Sequence, residues 1–109
     1  EKTLGESSET IRKRVIAARK IQEERYKDYK GIHCNAQMTT KLFRQYCDID
    51  QECQDLMKVA MDRLGLSARA YDRILKVART IADLDNSERI TATHLSEAIN
   101  YRSLDRESW

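Results

Sequence analysis

The stretch from Leu64 to Thr80 leaves this chain little choice of fold. It opens with two helix-boundary signals side by side. Gly65 suits the left-handed conformation that ends a helix, with Leu66 placed to fold back on the last turn. Ser67 is a good N-cap for a following helix, and Leu66 and Tyr71 occupy the staple positions around it. From there Tyr71, Ile74, Leu75, Ala78, Ile81 and Ala82 recur at spacings of three and four, which is one face of a helix. Arg69, Arg73, Lys76 and Thr80 line up on the opposite side. Two arginines one turn apart, beside the free N–H groups of a helix start, suit an anion. Basic residues opposite an apolar stripe are ordinarily a solvated face, and spacing alone favours that plainer reading.

The rest of the chain agrees with a helical fold. Its 109 residues include no proline and only three glycines, while helix formers are common, so we expect an all-α domain, a small bundle of about five helices. The net charge of +2 is too small to argue for nucleic acid. It is unevenly spread, with 9 basic and 6 acidic residues in 1–30 and 11 and 12 in 31–109. No apolar run reaches the roughly 20 residues that span a bilayer, so no membrane contact is expected and the cytoplasm is the expected compartment. Beginning at Glu1 rather than methionine, the chain reads as a piece of something longer. Cys34, Cys47 and Cys53, with His33, lack the short ligand spacing of a structural zinc site, and Cys53 falls on an apolar face, so no metal is expected.

Taken in order, Ser7 or Ser8 caps a first helix running to about Tyr29, with Gly31 as its stop. Its thin apolar stripe is Ile11, Val15, Ala18 and Ile21, ringed by Arg12, Lys13, Arg14, Arg19, Lys20 and Arg25. Such a helix crosses a domain edge, joins two domains or meets a charged partner, although a solvated connecting helix is the reading its charges favour. A short second helix covers about Thr39 to Tyr46, with Phe43 in the core. Asp50 caps a third from Gln51 to Leu64, whose face is Cys53, Leu56, Met57, Ala60 and Leu64. The fourth runs from Ala68 to about Leu84. After a polar turn at 85–88, Ile90 and Thr91 supply a staple residue and a cap for a fifth, which buries Leu95, Ala98 and Ile99. His94 is expected half exposed, and Leu104 or Trp109 is placed to tuck back. The chain lacks a phosphate loop, a GxGxxG turn and an HExxH helix, so no catalytic residue is assigned to it. Asp62 and Asp72 lie on helix surfaces, where pairing with a nearby arginine is the ordinary explanation.

The wording from Gly65 to Leu84, with Ser87-Glu88-Arg89-Ile90, His94 to Ile99 and Tyr101 to Arg106, resembles the C-terminal lid of the bacterial magnesium-chelatase-like AAA+ ATPases, the group of the ComM-type competence proteins. Gly5 to Ser8, Arg14-Val15 and Ala17 to Arg19 resemble the segment entering that lid. The resemblance implies residues 1–30 as an entering or connecting helix and 31–109 as the lid. The N-terminal ATPase core, with its ATP and Mg2+, would lie outside this chain. It also implies that Arg69, in its Ser67-Ala68-Arg69 context, is the sensor 2 arginine touching the ATP γ-phosphate, with Arg73 in support. Partners implied are the chain's own core and the other subunits of a homo-oligomeric ring, usually hexameric, acting on DNA. Two other readings stand beside it. One is a helical DNA-binding module using Arg12, Lys13, Arg14, Arg19 and Lys20, against which count the interspersed glutamates. The other is a protein-interaction domain whose arginines are surface charge.

Overall fold

Each helix starts where a short polar side chain can take up a free backbone N–H. In the computed structural model, which describes the backbone of residues 7–107 and the side chains of residues 7–101, Ser7 Oγ accepts from Thr10 N at 3.1 Å and opens α1 (Ser8–Arg25). A single 3-10 turn, Asn35–Gln37, precedes α2 (Thr40–Tyr46), which Thr39 caps through Leu42 N at 3.3 Å. Asp50 Oδ1 accepts from Cys53 N at 3.0 Å and opens α3 (Gln51–Leu64). That backbone bond also holds the Asp50 carboxyl below the usual carboxylate range. Ser67 Oγ, at 3.2 Å from Ala70 N, opens α4 (Ala68–Leu84). No strand occurs among the described residues, so the domain is all-α.

The last helix, α5 (Ala92–Glu107), starts differently. Thr91 Oγ1 lies 3.5 Å from His94 N, and His94 Nδ1 accepts the backbone N–H of Thr91 at 3.0 Å. This is a capping box in which histidine does the work usually given to Glu or Gln. His94 is therefore 4 % exposed rather than half exposed as expected, with its Nε2 at 2.9 Å from Asp85 Oδ2. Because Nδ1 is an acceptor there, the neutral ring carries its proton on Nε2 and donates it to Asp85.

Helix ends also follow the chain's wording. Gly65 adopts φ +61°, and both its own N–H and that of Leu66 reach Met61 O. Asn86, at φ 56°, plays the same part after α4, with Ser87 N donating to Ala82 O at 2.8 Å. The first helix departs from expectation. It stops at Arg25, not near Tyr29, because Tyr26 leaves helical geometry and turns its ring inward, where it is buried. Gly31, at φ +82°, lies in the turn that follows and does not end the helix itself.

The helix α4 is the centre of the bundle. It packs against α5, α1 and the 3-10 turn, while α3 packs against α5. Its stripe buries Ile74, Leu75, Ala78 and Ala82 against Leu42, Met57, Cys53 and Leu95, and the alanines let neighbouring helices come close. Leu66, Tyr71, Leu56 and Ile99 pack at the edge of this core. Phe43, expected within it, is only partly buried, and the adjacent Leu42 fills the centre instead. The expected positions of Leu104 and Trp109 fall outside the described side chains.

Replacing Gly65 by Ala forces an L side chain into the left-handed region, although a Cβ there meets nothing within 4 Å. The expected cost is about 1 kcal/mol in chemical denaturation, all of it backbone strain.

Candidate functional site

Arginines of two kinds surround α4, and the difference between them defines the candidate site. Arg25 and Arg79 point inward. Arg25 Nη1 donates to Asp83 Oδ2 and to Asn35 Oδ1, each at 2.9 Å, and its Nη2 donates to Asp83 Oδ1 at 2.8 Å. This is the planar two-point grip that guanidinium makes on carboxylate. Arg79 Nη2 reaches the same Asp83 Oδ1 at 3.2 Å. Asn35 Nδ2 donates to Asp83 Oδ2 at 2.9 Å and to Thr80 Oγ1 at 3.0 Å, and Tyr26 donates to Asn35 Oδ1 at 2.6 Å. The buried Asp83 carboxylate thus accepts three hydrogen bonds and has a second guanidinium within ion-pair distance.

From Asp83 the network spreads to the ends of other elements. Arg79 donates to Tyr46 O at 3.3 Å, Glu88 O at 3.0 Å and Ser87 O at 2.7 Å. It ties the end of α2 and the α4–α5 turn to the middle of α4. Its Nε–H alone, among the described buried side-chain atoms, has no acceptor. The Arg25 guanidinium also stacks over the Tyr46 ring at 5.0 Å. None of this network was visible to sequence reading except Arg25 as a flank of the first helix. The available signal was Arg79 and Asp83 themselves, opposite charges one turn apart at the edge of the apolar stripe.

Arg69 and Arg73 are the other kind. Both are exposed, one turn apart, in the opening turns of α4. Neither has an ion-pair partner among the described residues. No acidic side chain occupies the first turn of α4, whereas α1 has Glu9 and α3 has Glu52 there. Arg69 thus sets a positive charge at the positive end of a helix dipole, an arrangement that works against stability. Further along the same line, Lys76 and Thr80 are half buried and Asp83 fully so. One α4 stripe therefore begins as open cation and ends as buried anchor. Arg69 and Arg73 line neither the cleft of about 560 Å³ between α2, α3 and α4 nor that of about 320 Å³ between α3 and α5.

The other sequence candidates are scattered. Arg12, Lys13, Arg19 and Lys20 are exposed on α1, well apart from the α4 pair in sequence. Cys34 is exposed while Cys47 and Cys53 are buried, and no group of three His, Cys, Asp or Glu among the described residues is placed to hold a metal ion. Asp62 and Asp72 are exposed on α3 and α4. No helix among the described residues is long and apolar enough to cross a membrane.

Burial pushes the Tyr26 hydroxyl up to about 12 and the Cys47 and Cys53 thiols up to about 11. Each folded value lies above the free one, so the stability these groups contribute is complete below about pH 9 and is lost as pH rises through 11 and 12. A plot of unfolding free energy against pH should fall over that alkaline range, and Tyr26→Phe should flatten its upper part while costing about 1 kcal/mol at neutral pH. Asp83→Asn leaves two buried guanidinium groups without a counter-ion, and we expect a loss of about 3–5 kcal/mol in urea unfolding.

Comparison with known proteins covers nearly the whole chain. The family model described as Magnesium chelatase, subunit ChlI C-terminal, matches residues 5–102. The chain is 45% identical over 102 residues to YifB of Escherichia coli, and 40% identical over 102 residues to the competence protein ComM of Haemophilus influenzae. Each alignment takes in 94% of this chain and 19% of the relative. A protein of Mycobacterium tuberculosis is 31% identical over 98 residues, 90% of this chain and 19% of that protein. The chain thus spans about a fifth of the length of the relatives it matches. With its all-helical architecture, it belongs to the family of magnesium chelatase subunit ChlI C-terminal domains.

Proposed function

We propose that this chain is the helical lid of an AAA+ ATPase, and that Arg69 senses the γ-phosphate of ATP, with Arg73 in support. The observation that carries this reading is the state of Arg69. It is exposed, has no partner among the described residues, and stands at a helix start where its charge opposes the dipole. A terminal phosphate would reverse the sign of that local balance, meeting both the guanidinium and the helix N-terminus. Two other α4-associated arginines are held inside by Asp83, so the fold has no structural need of a third at the opening turn.

In this reading residues 1–30 enter the lid and residues 31–109 form it, while the phosphate loop and the Mg2+-binding acids belong to a core elsewhere in a longer polypeptide. ATP supplies the phosphoryl chemistry there. This chain's part is to bind the γ-phosphate through Arg69 and to turn as a body when that contact is lost on hydrolysis. Neighbouring subunits of a cytoplasmic ring, usually of six, are the partners to which the turn is passed, and the nucleotide read by Arg69 is one held by an adjacent subunit. DNA is the motor's substrate in the same reading, through analogy of family alone.

A separate reading gives DNA contact to α1 directly, favoured by the exposure of Arg12, Lys13, Arg19 and Lys20. Glu9, Ile16 and Glu23 fall on the same side of the helix as Arg12 and Arg19, which weakens it. A steep fall of duplex affinity with salt, measured on this chain alone, is its test.

Arg69→Ala in the full-length protein should abolish ATP hydrolysis while far-UV circular dichroism stays unchanged, and Arg69→Lys should restore little. In the isolated chain Arg69→Glu should raise stability by about 0.3–1 kcal/mol, because it reverses the unfavourable charge at the helix start. Normal turnover by Arg69→Ala would end the assignment.

A further inference from the structure

The inward face of α1 does not stop where the bundle does. Ala18, Gln22, Arg25 and Tyr26 share one side of the helix, and there it is covered: Ala18 and Tyr26 are buried, while Gln22 and Arg25 are half buried. Ile11 and Val15 continue that same line at spacings of four and three. They are 40% and 39% exposed. These are two of the seven large apolar side chains left exposed among the described residues. A packing face that runs off the edge of its own fold is a face made for a second surface. The ten residues 8–17 are all exposed, and a helical segment of that length without tertiary cover is marginal in water.

Charge states what the surface is like. Residues 8–20 hold five basic side chains and one acidic one. Arg12 and Arg19 run along one edge of that apolar line, and both are exposed. A phosphate backbone would engage the cations but leave Ile11 and Val15 in water. An apolar groove with a carboxylate rim satisfies both. The relatives are about five times the length of this chain, which leaves ample polypeptide to supply such a groove.

We infer that the line of Ile11 and Val15, edged on one side by Arg12 and Arg19, docks into an apolar, carboxylate-rimmed groove on the remainder of the same longer polypeptide. This rests on the reading of the chain as one part of a larger ATPase. The docked line and the Arg25–Asp83 grip then lie on one helix, so motion of α4 is carried by α1 to the groove.

Hydrogen exchange read by mass spectrometry on the full-length protein and on this chain tests it. Amides of residues 8–17 should exchange at least about tenfold more slowly in the full-length protein than in the chain alone. Ile11→Asp with Val15→Asp should abolish that difference, leaving exchange in α3, α4 and α5 unchanged. Arg12→Glu with Arg19→Glu should reduce it. Equal exchange in both proteins would overturn the inference. So would protection of the chain alone that rises with its concentration, which means a second copy, or protection that appears only with duplex DNA. An Arg69→Ala protein that still hydrolyses ATP but protects residues 8–17 would remove the sensor assignment and keep the docking.

Discussion

A single buried carboxylate holds this domain in one arrangement. Asp83 is gripped from α1 by Arg25, from its own helix by Arg79 and from the 3-10 turn by Asn35. Hydrophobic stripes bring α3, α4 and α5 together, but they say little about where α1 and the turn should sit. Burying three charges is costly, and an apolar contact of the same size would hold at least as well. What the ionic cluster adds is direction, because a forked guanidinium fits a carboxylate in few orientations. Arg79 extends that control to three backbone carbonyls, one at the end of α2 and two in the α4–α5 turn. As a result α1 and α4 behave as one body joined at their C-terminal ends.

That joint gives meaning to the contrast between the arginines. Those near the C-terminal end of α4 are consumed by structure. Those at its start are left open, at an electrostatic disadvantage that nothing in the described residues relieves. A helix anchored at one end and charged at the other is suited to converting the arrival or loss of an anion into movement of the parts bolted to it.

Much of the fold was legible in the sequence because caps and stripes are local. Ser67, Asp50 and Thr91 stand where the helices begin, and Gly65 where α3 ends. The α4 stripe needed only a period of 3.6. What failed to show was long-range polar pairing. Arg25 and Asp83 lie 58 positions apart, and each alone reads as surface charge. His94 was misjudged because a histidine in a first turn is ordinarily solvated. Its place three residues after Thr91 was the sign that it closes a capping box. Tyr26 ended α1 early for a reason no periodicity carries, namely a hydroxyl that must find Asn35. Of the candidate site, helix position and family resemblance single out Arg69 and Arg73, and the structure adds that both are exposed. Spacing alone could not separate a phosphate ligand from a solvated face.

The account is tested most directly by following the Arg69 guanidinium itself. In the full-length protein with labelled arginine, the Nε–H resonance of Arg69 should shift and its exchange with water should slow when a non-hydrolysable ATP analogue is bound, and both should revert with ADP. A resonance that is the same in the triphosphate, diphosphate and nucleotide-free states would contradict it.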